Sequence, residues 1–335
     1  MRLDEIARRV GVFVVIVFLV VAGGVVFAGG EQPEPADIQS LDVEAYSSET
    51  VAAVPGETGE IEMSADGSEK VVLIDASHGA SIDREQLTPL VETLTQNGVD
   101  VRFLSNRGGP RPGPGGSSPF NASLQQADAF IAFGAEQAYT QSQVNGLEAF
   151  ADAGGRVLIV KEPPQMQIRF LFFGPRERQQ SVPMPLAPVV SQFGISFGNG
   201  YLYNMHQYDN NYRNVYATPV VDGQLTEDVD RLVLHESTPV RGPTTVVQTT
   251  ERTELSETRK QDQYSVVVRS GNVTAVGDSS VFSQAYYRRG DNEVFVGNTL
   301  DFLVSGEKMP EDAPSPPEPE VPGNTTRTPP RGFPP

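Results

Sequence analysis

The sequence predicts an α/β body: a mostly parallel sheet with helices on both faces, extended by late antiparallel strands and preceded by a transmembrane helix. Three observations predict it. Residues 10–28 form an apolar run without a charge, and a helix of about 20 apolar residues crosses a bilayer's ~30 Å hydrocarbon core. From Val71 onward, short all-apolar runs alternate with helical stripes that stop at glycine, the pattern of repeated strand–helix–strand units. Late in the chain, Ser270-Gly271-Asn272 separates two β-rich runs and reads as a hairpin turn.

Taken in order, Arg2, Arg8 and Arg9 precede the apolar run, and no Lys or Arg occurs from Glu31 to Glu69. The positive-inside rule then keeps residues 1–9 cytoplasmic, makes 10–29 a single-pass signal-anchor in the cell membrane, and places the bulk of the chain outside the cell. A cleaved signal peptide competes, because Val26-Phe27-Ala28 resembles a small-residue cleavage site. The run exceeds the roughly 7–15 residues of a signal core, which favours a retained anchor. Both readings export the body. Residues 30–69 form an acidic linker; Glu31–Glu69 holds eleven acids and no base, so it repels itself and extends.

Val71–Asp75 is a continuous apolar run of the kind buried parallel strands show. Arg84–Asn97 carries a helical stripe of Leu87, Leu90, Val91 and Leu94, closed by Gly98. Val99–Leu104 and Asp128–Phe133 follow as strands, Gln141–Ala153 as a helix with Val144, Leu147, Phe150 and Ala151 on one face, and Arg156–Val160 as a fourth strand. Pro163–Tyr216 reads as irregular apart from a helix over Leu186–Phe193. Val229–Leu234, Thr244–Gln248, Tyr264–Val268 and Val273–Val276 are the late strands, and Glu293–Val304 is the closing helix. The folded body therefore spans 70–306. Residues 307–335 are a disordered tail, with ten prolines among the 26 residues of Pro310–Pro335.

Composition excludes several functions. The 335-residue chain carries a formal charge of −18 and only four lysines, Lys70, Lys161, Lys260 and Lys308. Such an acid-rich, lysine-poor surface is similar to that of proteins from salt-loving archaea. Without a basic stripe to neutralise phosphates, nucleic acid is not a partner. The absence of cysteine removes disulfides, thiolate zinc sites, cysteine nucleophiles and an N-terminal lipid anchor. No metal or cofactor is expected: His78, His206 and His235 form no ligand spacing. The loop Arg107–Gly116 also lacks the Gly-Lys-Ser/Thr of a phosphate loop and reads as a flexible connection or a lid.

Four segments together resemble one family: Val71-Val-Leu-Ile-Asp75-Ala-Ser-His78-Gly79; Leu147-Glu-Ala-Phe-Ala-Asp-Ala-Gly154-Gly155-Arg-Val-Leu-Ile-Val160; Phe193-Gly-Ile-Ser-Phe-Gly198; and Val276-Gly-Asp278-Ser279-Ser280, with Asp291-Asn292 and Leu300-Asp301 beyond. Their order resembles the archaeal and bacterial domain-of-unknown-function family 4350, in its haloarchaeal type. That family is related to glutamine-amidotransferase-like domains in auxiliary proteins of ABC transporters and gliding machinery. The resemblance implies a flavodoxin-like, class I amidotransferase-like sheet and an accessory role in envelope or transport machinery. It does not imply amidotransferase chemistry, because the turn after Phe133 reads Gly134-Ala135-Glu136 where those enzymes carry a cysteine.

Ligands of open parallel sheets bind beyond the carboxyl ends of the strands. That edge collects Asp75, Ser77 and His78, then Glu136, Lys161 and Glu162, and finally Asp278, Ser279 and Ser280. A hydrolytic reading uses Ser279 or Ser280 as nucleophile, His78 as base and Asp75 or Asp278 to orient it. The structural alternative is that these residues cap helices and satisfy loop amides. A second candidate is the loop with Tyr201, Tyr203, Tyr208, Tyr212 and Tyr216 among asparagines; its rings suit a glycan or a protein partner, or pack locally. Asn121-Ala-Ser123, Asn272-Val-Thr274 and Asn324-Thr-Thr326 have the form of glycosylation acceptors. The expectation is a membrane-anchored, extracytoplasmic binding or scaffold domain that does not catalyse. Its partners would be the membrane, through the N-terminal helix, and other membrane or envelope proteins. A surface hydrolase and a glycan-binding module are the alternatives.

Overall fold

The computed structural model describes residues 58–79, 84–105, 119–161, 166–171, 174–179, 185–308 and 314. Its centre is a nine-stranded sheet. The strands that begin it are β1 (Val71–Asp75), β2 (Asp100–Leu104), β3 (Ala129–Phe133) and β4 (Arg156–Val160). Helices α1 (Thr88–Gln96), α2 (Pro119–Gln125) and α3 (Gln141–Asp152) connect them. After β4 come a hairpin of β5 (Met166–Leu171) and β6 (Gly174–Gln179), helix α4 (Ala187–Gln192), and the short strands β7 (Ser196–Phe197) and β8 (Leu202–Tyr203). Strands β9 (Asn214–Pro219), β10 (Leu232–His235), β11 (Val240–Arg241), β12 (Thr244–Thr249), β13 (Thr253–Leu255), β14 (Gln261–Asp262), β15 (Ser265–Ser270) and β16 (Val273–Val276) follow, and α5 (Asn292–Val304) closes the described chain.

The sheet order is β10-β9-β12-β15-β16-β4-β3-β1-β2. The expectation of a mostly parallel sheet is overturned. Pairs β2/β1, β1/β3, β3/β4 and β4/β16 are parallel. Pairs β16/β15, β15/β12, β12/β9 and β9/β10 are antiparallel. The late strands are half of one mixed sheet rather than an appendage to a parallel one, and β16 belongs to both halves. Helices are few, five among the described residues. The expected membrane helix over residues 10–29 lies outside the described residues, and among those described no helix is long and apolar enough to cross a membrane. The tail expected beyond 307 lies mostly outside them too.

Alternation along each strand divides the core into two layers. Val72 and Ile74 of β1, Ile131 and Phe133 of β3, and Leu158 and Val160 of β4 face one layer, filled by Leu90 and Leu94 of α1 and Phe295, Leu300 and Phe302 of α5. Leu73, Phe130, Ala132, Val157 and Ile159 face the other, against Leu124 of α2, Leu147 and Phe150 of α3 and Val190 of α4. These side chains are almost fully buried; truncating a Phe in such a layer costs about 3–5 kcal/mol. Ile61 and Met63 also pack on the first layer, where Asp301 accepts the amides of Ser64 and Ala65 at 2.9–3.0 Å.

Because β9 runs against β12 and β10 against β9, the start of β9 and the end of β10 lie at the same edge as the carboxyl ends of β1, β3, β4 and β16. That edge gathers most of the candidate residues. Gly277 is required there: a Cβ on it would sit 2.1 Å from the Thr238 carbonyl oxygen.

Candidate functional site

Asp75 ends β1 and accepts four hydrogen bonds. Ser77 gives two, from its amide at 2.8 Å and its hydroxyl at 2.6 Å, both to Oδ1. His78 Nδ1 lies 2.7 Å from Oδ2, and Tyr139 donates its hydroxyl to the same oxygen. The His78 ring stacks on Tyr139 with centroids 3.8 Å apart and meets the edge of Phe120 at 5.8 Å. Asp75, His78 and Tyr139 are all buried. Burial pushes the Asp75 carboxyl up, but bonds from His78, Ser77 and Tyr139 and the histidine's charge outweigh it, leaving the group below the usual carboxylate range. Tyr139 moves well above 10, first through burial and then through the Asp75 charge and hydrogen bond.

The far side of His78 faces α3. Thr140 and Gln143 form a reciprocal cap on that helix, and Gln143 Oε1 accepts the Thr140 amide at 2.8 Å. The same Oε1 lies 3.3 Å from His78 Nε2. Both ring nitrogens therefore face oxygen acceptors, to which a neutral ring donates from one nitrogen and an imidazolium from both. Ser77 Oγ is 3.1 Å from Nδ1, yet its proton is directed to Asp75. The His78 carbonyl accepts the amides of Glu136 and Gln137 at 2.8 and 3.0 Å, so the cluster ties the loop after β1 to the loop after β3. Glu136 itself is exposed.

Asp278 is buried at the same edge with a different set of partners. Oδ1 accepts the Ser280 amide, Oδ2 accepts the Ser280 hydroxyl, both at 2.8 Å, and Oδ2 also accepts the His235 amide at 2.6 Å. Ser279 is buried at the start of a 3₁₀ turn over Ser280–Phe282. The structure thus brings Asp75 together with His78, and Asp278 together with Ser280 and His235. Lys161 donates to the Gly198 carbonyl at 2.6 Å; burial lowers its ammonium to about 8 against the opposing pull of Glu257. Glu162 lies outside the described residues.

In the tyrosine loop, Tyr203 donates to Glu254 at 2.5 Å, a bond that, with some burial, raises its hydroxyl to about 12. The Arg213 guanidinium lies over Tyr201 at 5.1 Å and Tyr212 at 5.6 Å and pairs with Glu236. Outward stand Met205, Tyr208 and Tyr212, 57, 43 and 37 % exposed. Two glycosylation-like asparagines are engaged inward: Asn121 Nδ2 donates to Ser142 O at 3.2 Å, and Asn272 Nδ2 to Ala151 O at 2.8 Å.

Sequence reasoning missed Tyr139, Gln143 and His235. The signal for the first two was present: Thr140 and Gln143 stand at capping-box spacing ahead of a helix, and Tyr139 precedes them. His235 gave no local signal; its Nδ1 meets Asn214 Oδ1 at 2.7 Å and its ring stacks on Tyr286. No group of three or more His, Cys, Asp or Glu among the described residues is arranged to hold a metal.

A family model described as a domain of unknown function, DUF4350, matches residues 79–300. The chain belongs to the DUF4350 family. The match starts at Gly79, after His78, and includes Glu136, Asp278, Asp291 and Asn292. No match to a curated protein was found. Among solved structures, the mmIFT52 N-terminal domain superposes with a TM-score of 0.51 at 12% identity, over 70% of this chain and 98% of that one. A ThuA-like protein from Bacteroides uniformis gives 0.44 at 12% identity, covering 74% and 96%. A second ThuA-like protein, from Parabacteroides merdae, gives 0.39 at 10%, covering 74% and 95%. The likeness to the mmIFT52 domain is one of fold alone.

Proposed function

We propose that this DUF4350 chain is a binding or scaffold module without catalysis of its own, displayed outside the cytoplasm and accessory to envelope or transport machinery. The observation that carries the non-catalytic reading is the engagement of His78. A general base needs a lone pair aimed at the nucleophile's proton, whereas both His78 nitrogens face acceptors, Asp75 Oδ2 and Gln143 Oε1. Asp278 likewise serves backbone and hydroxyl groups of its own loop and of His235. Binding is supported by the exposed Met205, Tyr208 and Tyr212, residue types that anchor protein interfaces. Arg213 lies over the rings of Tyr201 and Tyr212, which favours a protein partner over a stacked sugar. Placement at the membrane rests on the apolar residues 10–28.

A fluorophosphonate probe of activated serines tests the reading. Ser77, Ser279 and Ser280 stay unlabelled in the folded protein. Labelling of any of them, lost in His78→Gln, overturns it.

A further inference from the structure

The nine-stranded sheet has two edges, and only one is closed among the described residues. At the β10 edge the outward groups belong to Arg231, Val233 and His235. Asp291 Oδ2 accepts the Arg231 amide at 2.7 Å, and the Asp291 amide donates to the Arg231 carbonyl at 3.0 Å. Asn292 grips the amide and carbonyl of Val233 at 3.1 and 2.8 Å, and Asp278 takes the His235 amide at 2.6 Å. Three side chains thus occupy the places a further strand would take.

At the other edge, the Asp100 amide donates to Lys70 and the Leu104 carbonyl accepts from Ala76. Even-numbered residues of β2 therefore point inward to β1. The N–H and C=O of Val101 and Phe103 point outward, and no described strand pairs with that side. The side chains of Val101 and Phe103 are only half-buried, and Asp100 and Arg102 are exposed. Proteins commonly block such an edge with charge, and charges of one sign would repel a second copy. Here the signs alternate two residues apart, with Arg102 Nη2 2.7 Å from Asp100 Oδ2.

We infer that β2 is a self-pairing edge whose partner is a second copy of this chain. Two antiparallel β2 strands related by a twofold axis through Val101 exchange Val101 N–H···O=C bonds. The same register sets each Asp100 across from the other copy's Arg102, on one face of the sheet. The register centred on Arg102 pairs Val101 with Phe103 twice, four bonds within β2 against two, but opposes Arg102 to Arg102. Opposite charges across strands stabilise and like charges destabilise, so charge opposes that register and favours the Val101 one. The interface is narrow, and the dimer is accordingly weak and concentration-dependent.

Sedimentation equilibrium of the purified full chain over a range of concentrations tests this, with thermal melting to confirm that each variant folds. Wild type shows a monomer–dimer equilibrium. Asp100→Arg and Arg102→Asp each weaken it by on the order of tenfold or more. The double variant Asp100→Arg/Arg102→Asp restores it, because swapping both signs rebuilds the same cross-strand pairs. A wild type that stays monomeric throughout overturns the inference. So does a dimer unaffected by the single substitutions, or one the double variant fails to restore.

Discussion

Asn292 holds both backbone groups of one residue, Val233, accepting its N–H at 3.1 Å and donating to its carbonyl at 2.8 Å. The side chain acts as one residue of a missing strand. It is fully buried, as is its neighbour on the same edge, Asp278. Residues singled out in the sequence as candidate chemistry or family motif therefore close the sheet. Replacing Asn292 with Leu strands the Val233 amide and carbonyl, at a cost of about 1–3 kcal/mol for each buried group left unmade. Denaturant melts should show that loss, and amide exchange at Val233 should accelerate. Asn298→Ala serves as the control, since that side chain is only half-buried and bonds one exposed loop carbonyl, Glu227.

Asp75 makes the protein acid-sensitive. Its carboxyl sits below the ordinary aspartate value of 3.8 in the folded chain, so the unfolded state takes up the proton first. The stability it contributes is complete above pH ~4 and is lost as pH falls through the lower folded value. Asp75→Asn should lose about 1.5–3 kcal/mol at neutral pH, the worth of hydrogen bonds to a charged group. It should also show a shallower decline in melting temperature between pH 5 and pH 2. Tyr139→Phe keeps the stack on His78 and should lose less.

Lys161 should titrate well below Lys260. Its ammonium is lowered to about 8 by burial, whereas Lys260, paired with Asp262, is raised above 10.5. With only four lysines in the chain, Cε-labelled lysine resolves the midpoints by NMR. The Lys161 resonance should move near pH 8 while that of Lys260 stays unchanged to pH 10.

The folded body should carry no glycan at Asn121 or Asn272. Each Nδ2 is spent on a backbone carbonyl, of Ser142 and Ala151 respectively, and Arg156 donates to Asn272 Oδ1 at 2.6 Å. Intact-mass analysis of protein from a glycosylating host should find both residues unmodified.

The parallel half of the sheet was legible because β1, β3 and β4 are buried on both faces and read as apolar runs, separated by helical stripes that stop at a glycine, as at Gly98 and Gly154. The antiparallel half was legible in part: β10, β12, β15 and β16 read as strands, with the β15–β16 turn at Ser270-Gly271-Asn272, but β9 did not. β9 begins in an Asn- and Tyr-rich loop and ends on Pro219, so nothing local marks it as an interior strand, and its place between β10 and β12 is set by partners 15–32 residues away. The same limit governed the site. Asp75 and His78 could be placed at a strand end, but their partners Tyr139 and Gln143 come from a loop and the first turn of α3 more than 60 residues on. Asp291-Asn292 stood out as a motif, yet its work depends on β10 being an edge, which only the assembled sheet decides.

The central claim, that this DUF4350 chain works by binding through its exposed loop, is tested most directly by quantitative cross-linking and co-purification from native membranes at high salt. Wild type is compared with Met205→Ser/Tyr208→Ser/Tyr212→Ser. The account predicts that one or more proteins cross-link reproducibly to wild type and fall to background with the variant, while the two melt at the same temperature. Equal recovery of every cross-linked protein by both, or a wild type recovered alone, would contradict it.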